Sequence, residues 1–391
     1  MIFSQFSNKI NMTHPQARKD FAKDDSKLID LSIMEPDLSP PYQLLEAIER
    51  NPRNIEIFRY HPTKGIPELC ALLADEYKQK KIPVTGENIA ITSGARGAVM
   101  STMQAILNPN DEVIIFAPYW VGYVGETQLM GAVPKIIKLD EEDSFLPDIE
   151  VLKQNINSRT KMIIINNPHN PTGAVWNREI LMQIIELAQE KNIFIVSDEI
   201  FTAEVFEGKF TSLAELIPKL ENCAIVRSFS KSLAIPGMRI GWMLAHQSLI
   251  EKIALIQRCT IGGVNTLTQY SVIEAWEPIQ QWLTKTLVEI DRERRDTLMK
   301  ALSEQHGFRT MMPVAGMSCF TNIKYYLGNE VGGEVPQTSS EFCDIVFRKA
   351  GVLLSDGGSM FGIEGFVRFC FTKEPAILTE AVKKIAAILE K

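Results

Sequence analysis

Seven short apolar runs, at 89–93, 112–116, 133–139, 161–166, 193–197, 224–227 and 239–245, follow one another through the middle of the chain. Segments with helical spacing, notably 95–107, 121–130, 149–154 and 178–191, separate the earlier ones. A strand that is apolar at nearly every position needs cover on both faces, and helical crossovers between parallel neighbours supply it. The pattern therefore predicts an α/β fold with a mostly parallel central sheet flanked by helices. In such sheets, sites form at the carboxyl ends of the strands, so the loops there are where chemistry is expected.

Outside this core the pattern changes. Residues 1–40 carry a weak helical segment, the apolar run Leu28-Ile-Asp-Leu-Ser-Ile and the proline-rich turn Met34-Glu-Pro-Asp-Leu-Ser-Pro-Pro41. A short helix is expected over 42–50 and an amphipathic one over 66–79. After about residue 265 come a long helical region (266–305), strand-like 318–324 and 366–371, a helix at 340–350 and a terminal helix from Ala376. We expect 1–40 to join a small α+β domain built from both chain ends, with 41–270 as the large domain and 271–391 as the rest of the small one. The charged run Glu289-Ile-Asp-Arg-Glu-Arg-Arg-Asp296 reads as a solvated helix face laced with i,i+4 pairs, and 321–337 as a mobile loop.

Composition narrows the function. A net charge of −7, with no block of Lys and Arg, argues against nucleic-acid binding. No apolar run approaches the roughly 18 residues needed to cross a bilayer, and the N-terminal residues lack a signal-peptide pattern. The six cysteines contain no C-x-x-C pair and the five histidines have no ligand spacing. They read as reduced packing thiols in a cytoplasmic protein, with no metal site.

Four strand-end loops each hold a different tool. Ser93-Gly-Ala-Arg-Gly97 opens directly into a helix, whose free N–H groups and dipole favour a phosphate; G-x-G-x-x-G is absent. Asn167-Pro-His-Asn-Pro-Thr-Gly173 is a rigid turn presenting the Asn170 amide. Ser197-Asp-Glu-Ile places Asp198 at the inner end of an apolar strand, where a carboxylate needs a cationic partner such as a protonated ring nitrogen. The run Cys223-Ala-Ile-Val-Arg-Ser leads to Lys231, where partial burial would leave an amine able to attack a carbonyl; Arg239 follows beyond a Pro-Gly turn. A phosphate cradle, an amide, a buried acid and an amine are the contacts that pyridoxal phosphate needs.

With Asn-Pro-x-Asn-Pro-Thr-Gly, a strand-end aspartate and Ser-x-Ser-Lys-x5-Gly-x-Arg-x-Gly in that order, the chain resembles the fold-type I pyridoxal-phosphate enzymes. It is most similar to the class I and II, aspartate aminotransferase-like members, over roughly residues 28–372. The resemblance implies that Lys231 binds the cofactor covalently and carries the proton, Asp198 pairs with the ring nitrogen, Asn170 donates to the ring 3-oxygen and Trp120 stacks on the ring. It implies Ala95, Arg96, Ser228 and Arg239 as phosphate contacts, joined by Tyr60 from a neighbouring subunit, hence a homodimer with shared sites. Arg368 would clamp the substrate α-carboxylate; its local pattern alone reads as a strand-edge surface residue.

The chain departs from that pattern at three places. Phe201 stands where many relatives have tyrosine, Met34 where glycine is usual, so that the substrate pocket is narrowed, and Asp356-Gly-Gly-Ser where a proline-containing loop is usual. Arg96 also suits a distal substrate carboxylate, which favours an acidic, aspartate-like amino acid as donor and 2-oxoglutarate as acceptor. One rival is a carbon–sulfur β-lyase, favoured by the Asn-Pro-His-Asn-Pro and Val-Trp176 pattern and opposed by the Gly-x-Arg-x-Gly turn. A cofactor-binding regulatory module is the remoter one, opposed by acidic charge and the lack of a helix-turn-helix.

Overall fold

In the computed structural model, residues 28–389 are described; the weak helix expected in the first residues lies outside them. Strand β1 (Ile29–Asp30) is followed by seven strands of one sheet: β2 (Ile89–Thr92), β3 (Glu112–Ala117), β4 (Val133–Lys138), β5 (Thr160–Asn166), β6 (Phe194–Asp198), β7 (Cys223–Ser228) and β8 (Gly241–Ala245). Their order is β2-β8-β7-β6-β5-β3-β4. All pairings are parallel except those of β8, which runs antiparallel to both β7 and β2.

Side chains alternate across the sheet. Ile163, Ile165, Ile195 and Ile225 point into one hydrophobic core, and Met162, Ile164, Val196 and Val226 into another on the opposite face. This two-sided burial is why the strands read as unbroken apolar runs. Strand β4 is the exception. It lies at an edge, buries only Ile137 and contains Pro134, tolerable where a ladder donor is not needed.

A second, four-stranded antiparallel sheet has the order β12-β13-β10-β9, from β9 (Arg309–Thr310), β10 (Ser318–Asn322), β12 (Ser355–Asp356) and β13 (Phe366–Cys370). Beside it β1 pairs in parallel with β11 (Val352–Leu353), which ties the N-terminal segment to this end of the molecule. Leu31 and Met34 share a core with Phe342, Val367, Phe369 and Leu378.

Several expectations are corrected. The strand expected at 239–245 begins only at Gly241, because Arg239 has a left-handed backbone (φ 50°) at the end of a short turn. The helical region 266–305 is present, as four successive segments: Thr266–Glu274, Trp276–Gln281, a π-helical stretch Trp282–Thr286 and Leu287–Ser303. Segment 321–337 starts inside β10 and buries Ile323, Tyr326 and Val331, so it is a packed connection.

The charged run is a solvated face only in part: Glu289, Arg292, Glu293 and Asp296 are exposed, but its other charges are not. Asp291, Arg294 and Arg295 are buried. Arg294 pairs with Asp37 at 2.7 Å, and Arg295 pairs with Glu207 at 3.0 Å while lying over the Phe206 ring. Helical spacing puts 291, 294, 295, 298 and 302 on one stripe, with Leu298 and Leu302 in the core; local charge density hid that period.

Candidate active site

The carboxyl ends of β5, β6 and β7 lie side by side, and Asn166 and Asp198 are register partners. Their loops, the start of the helix Gly94–Ile106, the N-terminal segment and β13 enclose a cavity of about 460 Å³. Met34, Ala95, Arg96, Trp120, Asn170, Asp198, Phe201, Ser228, Lys231, Arg239 and Arg368 all line it. Tyr60 does not. It is 99% exposed and lies in a separate surface groove with Arg59, His61 and Asn265.

Lys231 leaves β7 on the short helix Phe229–Ser232, capped by the Ser228 hydroxyl, which accepts from the Ser230 amide. Its amine donates to the Met34 carbonyl. Burial, helped by nearby Arg368, pulls the amine down to about 8, against the opposing influence of Cys370, Glu35 and Glu204. A fraction of it is therefore neutral near pH 7, as a nucleophile or base must be.

Asp198 is buried, and its carboxylate accepts from the Tyr123 hydroxyl at 2.6 Å and the Ile200 amide at 3.3 Å. Burial raises it to about 6, although both hydrogen bonds act to lower it. Among the described residues no lysine or arginine forms an ion pair with it. Asn166 fixes the next turn: its side-chain oxygen accepts from the Asn170 amide N–H at 2.9 Å, and its Nδ2 donates to the Pro168 and Asp198 carbonyls. The Asn170 side-chain oxygen accepts from Arg368 Nη1 at 3.2 Å, which leaves its amide nitrogen as a donor.

Arg368 is not a surface residue. It sits on β13 between β10 and β12, and its Nη2 donates to the Ser32 carbonyl at 2.5 Å and the Ser355 hydroxyl at 3.3 Å. Its Nε is buried without a partner, and Phe361 lies under the guanidinium at 4.9 Å. A planar cation with a spare buried donor suits a carboxylate.

At the far end, Arg239 donates to the Pro236 carbonyl and packs against Gly94, where a Cβ would come 2.6 Å from Nη2. With φ +69° and no side chain, Gly94 lets the cation reach the N-terminus of the helix; together they make an anion site. Trp120 meets Tyr123 edge-on at 5.2 Å, and Arg96 lies 4.7 Å over the Trp120 ring. Asp356 caps the short helix Gly357–Phe361, whose Met360 and Phe361 line the cavity.

The sequence reading missed Tyr123, Glu126 and Glu204. Tyr123 and Glu126 are spaced three apart on the helix Gly122–Leu129, where a lone acid among apolar and small residues was the available signal. Glu204 is buried without a hydrogen-bond partner for its carboxyl oxygens and held well above the usual carboxylate range, by burial first and Asp291 second.

A doubly covered parallel sheet with a lysine, an acid and an anion site at its strand ends defines a pyridoxal-phosphate enzyme of fold type I. The chain belongs to the class I and II aminotransferases: residues 26–385 match the family described as aminotransferase class I and II. It is 32% identical over 368 residues to the probable aspartate/prephenate aminotransferase of Aquifex aeolicus, covering 93% of this chain and 91% of that one. It is 32% identical over 370 residues to the aspartate aminotransferase of Pyrococcus horikoshii, with coverages of 93% and 91%. The aspartate aminotransferase of Thermus thermophilus solved with maleate superposes over 100% of both chains, with a TM-score of 0.90 and 27% identity. The chain is thus an aminotransferase dependent on pyridoxal phosphate. Its cavity fits that group: Asp198 is a buried acid lacking a cationic partner among the described residues, and Gly94 leaves the helix N-terminus open beside Arg239.

Proposed function

We propose that this chain moves the amino group of an acidic, aspartate-like amino acid to a 2-oxo acid such as 2-oxoglutarate, by a ping-pong exchange through one cavity. The observation that carries the reading is the meeting of Lys231, Asp198, Arg239 and Arg368 around that cavity. When bound, pyridoxal phosphate supplies a carbon that accepts the amino group and a ring that holds the electrons leaving the substrate. Arg368 binds the α-carboxylate of donor and acceptor in turn. Lys231 would hold the group covalently, and an amine held near 8 suits it to take the α-proton of the substrate. Asp198 would supply a negative charge for the ring nitrogen, and the hydrogen bond from Tyr123 favours its ionised form. Asn170 would donate to the ring 3-oxygen, Trp120 would cover the ring face, and Ala95, Ser228 and Arg239 would hold the phosphate, since all of them line the cavity. Phe201 offers no hydroxyl for the 3-oxygen, so Asn170 carries that contact alone among these residues. Met34 narrows the entrance and engages the resting lysine.

Acidic preference is supported by Arg96 at the cavity wall and by the names of the relatives. A homodimer with shared sites is supported by the large exposed apolar side chains of Tyr42, Ile55, Phe58 and Tyr60, all within one short stretch of sequence, of the kind that a second copy covers. We also propose the domain division 41–270 and 271–391, with 1–40 joining the smaller part, supported by the separate core that Leu31 and Met34 share with the C-terminal residues. A cytoplasmic location is supported by six cysteines of which none forms a disulfide, five of them buried.

The test is Lys231→Ala. It should abolish both 2-oxoglutarate-dependent transfer and the visible absorbance of the covalently held cofactor. A variant with near-normal transfer would overturn the assignment. Release of ammonia and pyruvate from cystathionine by the wild type, without transfer, would instead favour the β-lyase.

A further inference from the structure

Arg96 stands in the first turn of the helix Gly94–Ile106, and the neighbouring helix Gly122–Leu129 brings Glu126 against it. The guanidinium is held from two sides: Cζ lies 4.7 Å over the Trp120 ring, and Nε lies 3.6 Å from Glu126 Oε1. The two partners differ in environment. The Arg96 side chain is 56% exposed and faces the cavity, whereas that of Glu126 is 6% exposed and neither of its oxygens accepts a hydrogen bond. A buried carboxylate without hydrogen bonds depends on a nearby cation for its charge, and Arg96 is the one within reach. A side-chain carboxylate of a substrate would draw on the same guanidinium.

We infer that Glu126 is an internal counter-ion of Arg96, and that acidic substrates are admitted with Glu126 protonated. The inference rests on the reading of Arg96 as the site of the distal carboxylate. Two carboxylates cannot both be ionised cheaply beside one guanidinium in a half-dry site, so the arriving one forces a proton onto the resident one. Three groups act on Glu126: Arg96 from the adjoining helix favours its charge, Asp198 at the end of β6 opposes it, and Tyr123 lies on its own helix. Burial dominates and raises the carboxyl to about 8. Near pH 7 the resident acid is mostly neutral and Arg96 is available. Near pH 9 the resident acid is ionised and occupies Arg96. Preference for acidic over apolar amino acids therefore declines as pH rises.

The experiment is the ratio of kcat/KM for aspartate to that for phenylalanine, measured from pH 6.5 to 9.5 on the cofactor-loaded enzyme at constant ionic strength. Titrations of Lys231 and Asp198 serve both donors and cancel in the ratio. With a free carboxyl near 8 and a much higher value in the complex, the wild-type ratio falls about tenfold between pH 7 and 9. Glu126→Gln should flatten the profile and stand about tenfold above the wild type at pH 9. Calorimetry with succinate at pH 9, in two buffers of different ionisation enthalpy, should count about one proton more taken up by the wild type than by Glu126→Gln. A flat wild-type ratio, or an unchanged slope in Glu126→Gln, overturns the counter-ion role. Arg96→Ala separates the two ideas: if it loses the aspartate preference while those results fail, the Arg96 reading stands and only the counter-ion falls. If it keeps the preference, the Arg96 reading fails and the inference with it.

Discussion

Removing the Tyr123 hydroxyl should change the charge of Asp198 with little change in packing. That hydroxyl donates to the carboxylate at 2.6 Å, while burial is what raises the acid to about 6. A short hydrogen bond to a charged acceptor contributes about 1.5–3 kcal/mol, or about one to two pKa units at 1.36 kcal/mol each. Tyr123→Phe should therefore carry Asp198 from about 6 to about 7–8. At pH 7 its ionised fraction would fall from about nine-tenths to between about one-half and one-tenth. The phenyl ring keeps the edge-on contact with Trp120, so the change is electrostatic. The assay is titration of cofactor-free protein with pyridoxal phosphate from pH 5 to 9, in a Lys231→Ala background that removes the lysine's own titration. Affinity should rise as Asp198 ionises, and the midpoint of that rise should move up by about one to two units in Tyr123→Phe. An unmoved midpoint would refute the claim that Tyr123 sets the charge of Asp198.

Other perturbations follow from the same contacts. Arg368→Lys keeps the charge but loses the fork that meets Ser32 and Asn170, so KM for both substrates should rise about tenfold or more in steady-state kinetics. Asp291 is raised to about 7, by burial first, against the pull of Arg294. A raised acid binds its proton more tightly folded than unfolded, so its contribution declines from about pH 4 to 7 and then stays constant. Asp291→Asn should therefore gain on the wild type by about 1.4 kcal/mol per pH unit across that window. Urea unfolding at pH 5, 6 and 7 checks it, and a constant difference would count against a buried, titrating Asp291.

Local pattern and tertiary arrangement contributed differently to the site. Apolar runs with helical crossovers are a local signal, because a parallel sheet demands cover on both faces, and they disclosed the sheet and its strand-end loops. Asp198, Asn170 and Lys231 were legible for the same reason: each is a polar residue at the end of an apolar run. Arg368 was legible only through family resemblance. Its neighbours Phe366, Val367 and Phe369 say strand, but not that Ser32, over three hundred residues earlier, would lie beside it. Tyr123 and Glu126 offered only a weak local signal, a lone acid on a helix of apolar and small residues, since their roles come from Asp198 and Arg96 on other elements.

The sequence by itself determined the fold class, the cofactor chemistry and the strand-end residues, because these follow from periodicity and from residue types at loop positions. Tertiary structure alone decided which charges are buried. Asp291 and Arg294 look like a solvated run until the helix stripe meets Asp37, and Glu126 looks like any helix acid until Arg96 comes within 3.6 Å. Burial depends on what packs against a residue from elsewhere in the chain, and it is burial that sets whether an acid is charged, neutral or poised between the two.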